Sequence, residues 1–256
     1  MPKSESLLFL KSLKEDGIEQ VYVPSKSSHP VIQSQIRQIL SPPNVLVGGL
    51  ETKSGFPLKT CGNDNASAGI NPGIEQLRSE VLKCKLCAEL AKTRNKVVFG
   101  DGHLQAQLVF VGEAPGADED EQGLPFVGRA GQLLTKIIEA MGMTRDQVFI
   151  CNVLKCRPPH NRPPAPAEVA HCRPFLKRQL EIIKPKVIVA LGNHAVKALL
   201  QTEQGISQLR GTFQQYEGIP VMCTYHPAYL LRSPGEKRKV WEDMKKVIKF
   251  LNASED

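Results

Sequence analysis

Residues 108–131 read LVFVGEAPGADEDEQGLPFVGRAG, and this stretch decides the fold. Leu108, Val109, Phe110 and Val111 make an uninterrupted apolar run of strand length, ended by Gly112. Such a run suits a strand covered on both faces of a sheet. A turn-rich acidic loop follows, then Phe126-Val127-Gly128, and a helix is predicted from about Ala130. Strand, glycine loop and helix together bring backbone N–H groups to the C-terminal end of a strand, where open α/β sheets bind their ligands.

Outward from this loop the same alternation repeats. A helix begins at Ile74 and runs toward Cys84-Lys85-Leu86-Cys87, and Lys96 to Phe99 is a short extended segment. Leu133 to Met141 is amphipathic and stops at Gly142; Val148 to Leu154 is a second core strand. The segment CRPPHNRPPAPA, residues 156–167, is too rich in proline for regular structure. Glu168 to Lys184 reads as a helix, Val187 to Leu191 as a third strand and His194 to Gln201 as a helix. Gly211 to Glu217 and Ile219 to Thr224 read as a hairpin arm and a fourth core strand, which leads into Tyr225-His226-Pro227. Trp241 to Leu251 is a closing amphipathic helix. The expected fold class is α/β, a three-layer α/β/α arrangement around a central, mainly parallel four-stranded sheet. Three strand ends then carry unusual residues: Gly112 to Gly116, Asn152 and His226.

The chain before this pattern is different. Residues 1 to about 23 suit a short amphipathic helix and an extended piece, and residues 24 to about 70 are rich in Ser, Pro, Gly, Asn and Lys. The expected division is an N-terminal extension over 1–70, with a flexible linker, and a catalytic domain over 71–256. An arm of that kind suits a protein partner. No apolar run approaches the roughly 18 residues of a membrane helix, and the N-terminus lacks the pattern of a secretory signal, so a cytoplasmic, monomeric protein with no membrane partner is expected. The net charge is +7 with a pI near 9.0. Residues 1–73 hold seven Lys/Arg against six Asp/Glu, so six of those seven charges sit on the globular part. A basic surface there suits a polyanion, most simply nucleic acid.

Seven cysteines in a chain with no secretory signal argue against a disulfide framework. Cys84 and Cys87 are spaced C-x2-C; Cys156 and Cys172 are spaced C-x15-C around the proline-rich loop. Two such pairs make a four-thiolate site, suited to a tetrahedral zinc or to a [4Fe-4S] cluster, and spacing does not choose between them. Cys151 and Cys223 lie within apolar strands and read as core, and Cys61 falls in the linker.

GEAPG at 112–116, LPFVGRAGQLL at 124–134, NVLKCRPPHNRPP at 152–164, HPAYLL at 226–231 and the four cysteines resemble, in order, a family 4 uracil-DNA glycosylase, the iron–sulfur type of bacteria and archaea. The likeness covers residues 74 to 251. It implies a [4Fe-4S] cluster held by Cys84, Cys87, Cys156 and Cys172 with a structural role. It implies hydrolysis of the bond between uracil and deoxyribose in single- or double-stranded DNA, leaving an abasic site for base excision repair. A flipped uracil then needs Phe126 for stacking and Asn152 to read its Watson–Crick edge. It also needs His226 as a donor to O2, where charge develops. Gly112, Ala114, Pro115 and Gly116 complete the expected substrate wall.

Glu113 and Glu119 are expected as catalytic-site carboxylates without a firm role. Ala114 stands where other branches of the superfamily carry an Asp or Asn that orients the attacking water, and Gly116 where some carry a Tyr that blocks the thymine methyl. DNA contact is expected from Arg129, Arg157, Arg162, Tyr229 and Arg232, with Ala228 to Leu231 as a wedge into the stack. A relative that traps the abasic site covalently carries a basic insertion near Phe126, which residues 124–129 lack. The rival of another class is a non-catalytic iron–sulfur or zinc protein that binds nucleic acid on the same fold.

Overall fold

The computed structural model describes residues 72–253. The whole expected 1–70 extension, with its N-terminal helix, its linker, its boundary at 70/71 and Cys61, lies outside the described residues. In chain order the described part holds α1 (Pro72–Leu82), α2 (Ala88–Thr93), β1 (Asp101–Gly102), β2 (Leu108–Gly112), α3 (Ala117–Gln122), α4 (Arg129–Ala140) and β3 (Phe149–Asn152). There follow α5 (Pro166–Ile183), β4 (Val187–Leu191), α6 (Asn193–Leu200), α7 (Ile206–Leu209), β5 (Phe213–Tyr216), β6 (Ile219–Thr224), α8 (Pro227–Arg232) and α9 (Lys237–Ala253).

The strands form one sheet in the order β1-β3-β2-β4-β6-β5. The four inner strands are mutually parallel, as the sequence led us to expect, but the sheet is six strands wide. The expected arm around Gly211–Glu217 pairs antiparallel with β6, and the two residues Asp101 and Gly102 pair antiparallel with β3. Every residue of β2, β3 and β4 is buried, which explains their unbroken apolar runs. Alternation along the strands divides the core in two. Val109, Val111, Ile188, Ala190, Val221 and Cys223 pack in one cluster with α1, α5 and α6 residues such as Leu77, Leu176 and Val196. Leu108, Phe110, Ile150, Val189 and Met222 point the other way, toward the buried stripes of α4 (Leu134, Ile138) and α9 (Trp241, Met244, Val247). The result is the three-layer α/β/α arrangement.

Two details differ from the sequence reading. The acidic loop after Gly116 contains the helix α3, and the proline-rich loop contains one 3-10 turn, Pro159–Asn161, in which His160 and Asn161 have positive φ. Cys151 and Cys223 are core residues. Among the described residues no helix is long and apolar enough to cross a membrane.

Candidate active site

The parallel strands deliver the site at their C-terminal ends. Gly112 of β2 lies opposite Asn152 of β3 in register, and Val153 N–H and Leu154 N–H donate to Gly112 O (2.9 Å) and Glu113 O (3.0 Å). His226 follows β6 by two residues. It packs on Gly192 after β4, where a Cβ would come within 2.9 Å of the His226 Cβ and φ is +87°. Only a residue without a side chain lets the two strand ends approach this closely.

These ends surround a cavity of about 260 Å³ lined by Glu113, Ala114, Pro115, Gly116, Glu119, Phe126, Asn152 and His226, with Ala130, Pro158, Asn161, Arg162 and Ala228 at its sides. The structure thus brings together all the sequence-predicted catalytic and substrate-wall residues except Gly112. Gly112 lies directly behind them: a Cβ on it would sit 2.3 Å from Asn152 Oδ1 and 2.5 Å from the Phe126 ring.

Asn152 is 1% exposed, and its Oδ1 has no hydrogen-bond partner. Its backbone is held from behind: the Lys155 ammonium donates to Asn152 O (2.8 Å) and to Gln179 Oε1 (2.5 Å), and Gln179 Nε2 donates to Phe99 O (2.9 Å). Burial pushes the Lys155 pKa down, opposed by neighbouring Cys151, Cys172 and Cys156. A buried amide oxygen normally finds a donor, so an unpaired one on a residue lining the cavity suits a donor brought by a ligand.

Phe126 adopts φ +52°, a conformation costly for a bulky residue. Arg145 holds it there, donating from Nη1 to Phe126 O (3.1 Å) and Thr135 Oγ1 (3.2 Å) and from Nη2 to Pro125 O (2.9 Å). Gly131 makes room, since a Cβ there would fall 1.9 Å from Phe126 O. The ring faces His226 with centroids 5.6 Å apart, tilted by 32°.

Glu119 joins the two loops of the wall. One carboxylate oxygen accepts from Gly116 N–H (3.1 Å), the other from Val127 N–H (2.9 Å) and Gly128 N–H (3.0 Å). Glu113 is half-buried, and burial pushes its carboxyl pKa up while the charge of His194 pulls it down.

His226 caps α8 by accepting the Ala228 N–H at its Nδ1 (3.1 Å). Burial, with a smaller contribution from Arg232, lowers its pKa to about 4. The ring is therefore neutral near pH 7. Because Nδ1 is the acceptor, the proton sits on Nε2, which becomes the free donor. The strand end beneath is fixed by Thr224, which donates to the buried Asp243 (2.7 Å), itself paired with Arg210 (2.7 Å).

The residues expected to meet DNA are spread around the rim. Arg129 and Arg232 are exposed, and Tyr229 is exposed beside Tyr225 with ring centroids 5.1 Å apart. In the expected wedge Leu231 is also exposed while Leu230 is buried. Arg157 donates to Asn161 Oδ1 (2.8 Å). Arg162 is engaged with Glu168 (2.6 and 2.9 Å) and Glu89 (2.7 Å), which ties the proline-rich loop to α2 and α5.

The four candidate ligand cysteines come together on the α1–α5 side. Cys156 and Cys172 are buried, Cys84 and Cys87 half-buried. Burial raises the Cys172 pKa to about 11, with Cys156 and Cys87 adding to it. Burial also raises Cys87 and Cys156, and each is pushed further up by Cys84. Cys87, Cys156 and Cys172 thus each feel the charge of neighbouring thiols. Yet among the described residues no three His, Cys, Asp or Glu side chains converge as one metal ion requires. Arg94 Nη1 donates to Cys156 Sγ (2.9 Å), and Cys87 Sγ lies 3.3 Å from His171 Nδ1.

The sequence reading missed Arg94, Asp120, Arg145 and Lys155. A charged residue buried by tertiary contacts has no local signature. The role of Glu119 was legible in principle, because Gly116-x-x-Glu119 has the spacing of a helix-capping box.

The family model for the uracil DNA glycosylase superfamily matches residues 99–245. The chain is 46% identical over 182 residues to a type-4 uracil-DNA glycosylase of Thermotoga maritima, covering 70% of this chain and 94% of that one. It is 45% identical over 184 residues to that of Sulfurisphaera tokodaii (68% and 83%) and 41% identical over 189 residues to that of Saccharolobus solfataricus (70% and 87%). With this pocket at its strand ends and this likeness over most of its described length, the chain belongs to the uracil DNA glycosylase superfamily, in the branch of the type-4 enzymes.

Proposed function

We propose that the cavity receives a uracil flipped out of DNA and hydrolyses its N-glycosidic bond, so that the protein acts in base excision repair. The observation that carries this is the buried, unpartnered Oδ1 of Asn152. Uracil offers N3–H to that acceptor, and the Asn152 amide N–H reaches O4 beside it. Cytosine presents the reversed pattern and leaves buried polar groups unpaired on both sides. The Phe126 ring stacks on the base, held by Arg145 in a conformation that it would not keep alone.

In the reaction the C1′–N1 bond breaks and its electron pair leaves with the uracil, whose negative charge gathers on O2. His226 meets that charge with its Nε2–H, donated from a neutral ring; a fixed donor aimed at developing charge stabilises the charged state more than the ground state. A water oxygen bonds to C1′, and its proton passes to the Glu113 carboxylate at the pocket wall. Burial, which raises the proton affinity of Glu113, suits it to that task. Glu119 has its oxygens occupied by three backbone donors and serves as a positioning residue. Arg129 and Arg232 meet phosphates, and Tyr229 with Leu231 fills the gap left in the stack.

We assign Cys84, Cys87, Cys156 and Cys172 to a [4Fe-4S] cluster, on the likeness to the type-4 enzymes. Neighbouring thiols contribute to the raised pKa values of Cys87, Cys156 and Cys172, so the four lie within reach of one another's charge, and four cysteine thiolates, each on a different iron, are the ligand set of such a cluster. When bound, the cluster supplies cross-linking of α1, the proline-rich loop and α5, not chemistry at the base. The test is to incubate the purified protein with a uracil-containing oligonucleotide and treat with alkali. Strand cleavage at uracil, and not at cytosine, is expected. An intact strand with bound protein favours a non-catalytic binding role instead.

A further inference from the structure

The acidic helix α3 does more than connect the two halves of the pocket wall. Its one buried acid is Asp120, 1% exposed, whose carboxylate accepts from Asn95 N–H (3.0 and 3.1 Å) and Lys96 N–H (3.3 Å). The residue immediately before these donors is Arg94. Its guanidinium straddles the thiol centre, donating from Nη1 to Cys156 Sγ (2.9 Å) and from Nη2 to Cys84 O (2.7 Å). On the other side of Asp120 the next residue is Glu119, which holds Gly116, Val127 and Gly128 by their N–H groups. A continuous series of charge-assisted hydrogen bonds thus runs from two of the four cysteines, through one short helix, to the residues flanking Phe126.

We propose that Arg94 and Asp120 form a strut fixing the wall of the base pocket to the four-thiol segment, so that the placement of Phe126 depends on where that segment lies. This rests on reading the cavity as a base pocket. Both ends of the strut are backbone or thiol groups that cannot adjust by rotating a long side chain. Asp120 is buried between them and bonds backbone N–H groups directly, so a displacement of the Cys84–Arg94 segment carried to Asn95 and Lys96 reaches α3. Two charged residues without any reach to the substrate thereby act on the reaction as positioning residues. Misplacement of a stacking group by about 1 Å is enough to slow a pre-organised reaction by up to about 100-fold.

The test uses the full chain and two substitutions, Asp120→Asn, which keeps size and one acceptor oxygen but removes the charge and the second acceptor facing Asn95 N–H, and Arg94→Gln. Backbone hydrogen exchange is followed at Gly116, Val127 and Gly128, with the β2 amides as an internal standard. Absorbance at about 400 nm reports the cluster, and steady-state kinetics on a uracil oligonucleotide report the pocket. For Asp120→Asn we expect exchange at Val127 and Gly128 to rise about tenfold and kcat to fall about tenfold. KM should change less than about twofold and the absorbance should be retained. Arg94→Gln should give the same exchange pattern and also hasten bleaching in air. The double variant should be no worse than Asp120→Asn at the pocket, since both cut one series. Unchanged exchange at Val127 and Gly128, a rise shared equally by β2, or kcat losses that multiply in the double variant would each overturn the strut. If the parent protein releases no uracil, the base-pocket reading fails, while the exchange data still decide the strut.

Discussion

His226 shows how one residue's surroundings set its chemistry. Its pKa of about 4 in the folded chain lies below the value of about 6.5 for a solvated histidine. Above pH 6.5 both folded and unfolded chains hold a neutral ring and the residue contributes nothing to pH dependence. As pH falls from 6.5 toward 4, the unfolded chain takes up a proton that the folded chain refuses. The folded state is then disfavoured progressively, by up to about 3 kcal/mol. His226→Gln should therefore lose less stability than the parent between pH 7 and pH 5, measured as urea midpoints; parallel slopes would contradict a shielded ring. The same substitution removes the Nε2 donor and should lower kcat on the order of 100-fold with DNA affinity kept. Asn152→Ala should act likewise, and loss of affinity equal to loss of rate would reassign it to DNA binding. Gly112→Ala is the sharper probe, because its Cβ meets Asn152 and Phe126 together. It should abolish excision while costing about 1–3 kcal/mol of stability, read by thermal melting. Asn152 and His226 were legible in the sequence because each is a polar residue standing where an apolar strand stops. Lys155 was not, since its partner Gln179 lies 24 residues away and nothing local marks a buried ammonium.

At the scale of elements, the four parallel strands announced themselves through unbroken apolar runs, and the amphipathic helices through their stripes. The edge strands β1 and β5 escaped a full reading because pairing with a neighbour, not composition, makes two or four residues a strand. Helix α3 escaped for a related reason: six residues, five of them polar or acidic, have too little apolar periodicity to be seen. It is the capping by Glu119 and the burial of Asp120 that hold it. The conformation of Phe126 was also hidden, being imposed by Arg145 from beyond α4. Gly131→Ala tests this packing of element on loop. A Cβ at 1.9 Å from the Phe126 carbonyl forces the first turn of α4 and the loop apart. We expect KM for uracil-containing DNA to rise and kcat to fall while the helix itself, as seen by circular dichroism, is unchanged.

For the whole molecule, the positive charge concentrated outside residues 1–73 sets the salt response. Binding to a uracil-containing duplex should weaken steeply with salt, by roughly tenfold per decade of salt concentration for each phosphate contact. A flat dependence would remove Arg129 and Arg232 from the interface. On the proposed cluster reading, Cys84→Ser should abolish the absorbance at about 400 nm and lower the melting temperature, since a metal centre closed between distant segments would stabilise the fold. Its four thiols enter the chain in two instalments, Cys84 and Cys87 before β2, Cys156 and Cys172 after β3. During synthesis the centre therefore stays incomplete until residue 172 has left the ribosome, when β2 and β3 are already available to pair but β4 and β6 are not. The four thiols thus join two stretches of chain on either side of the paired strands β2 and β3.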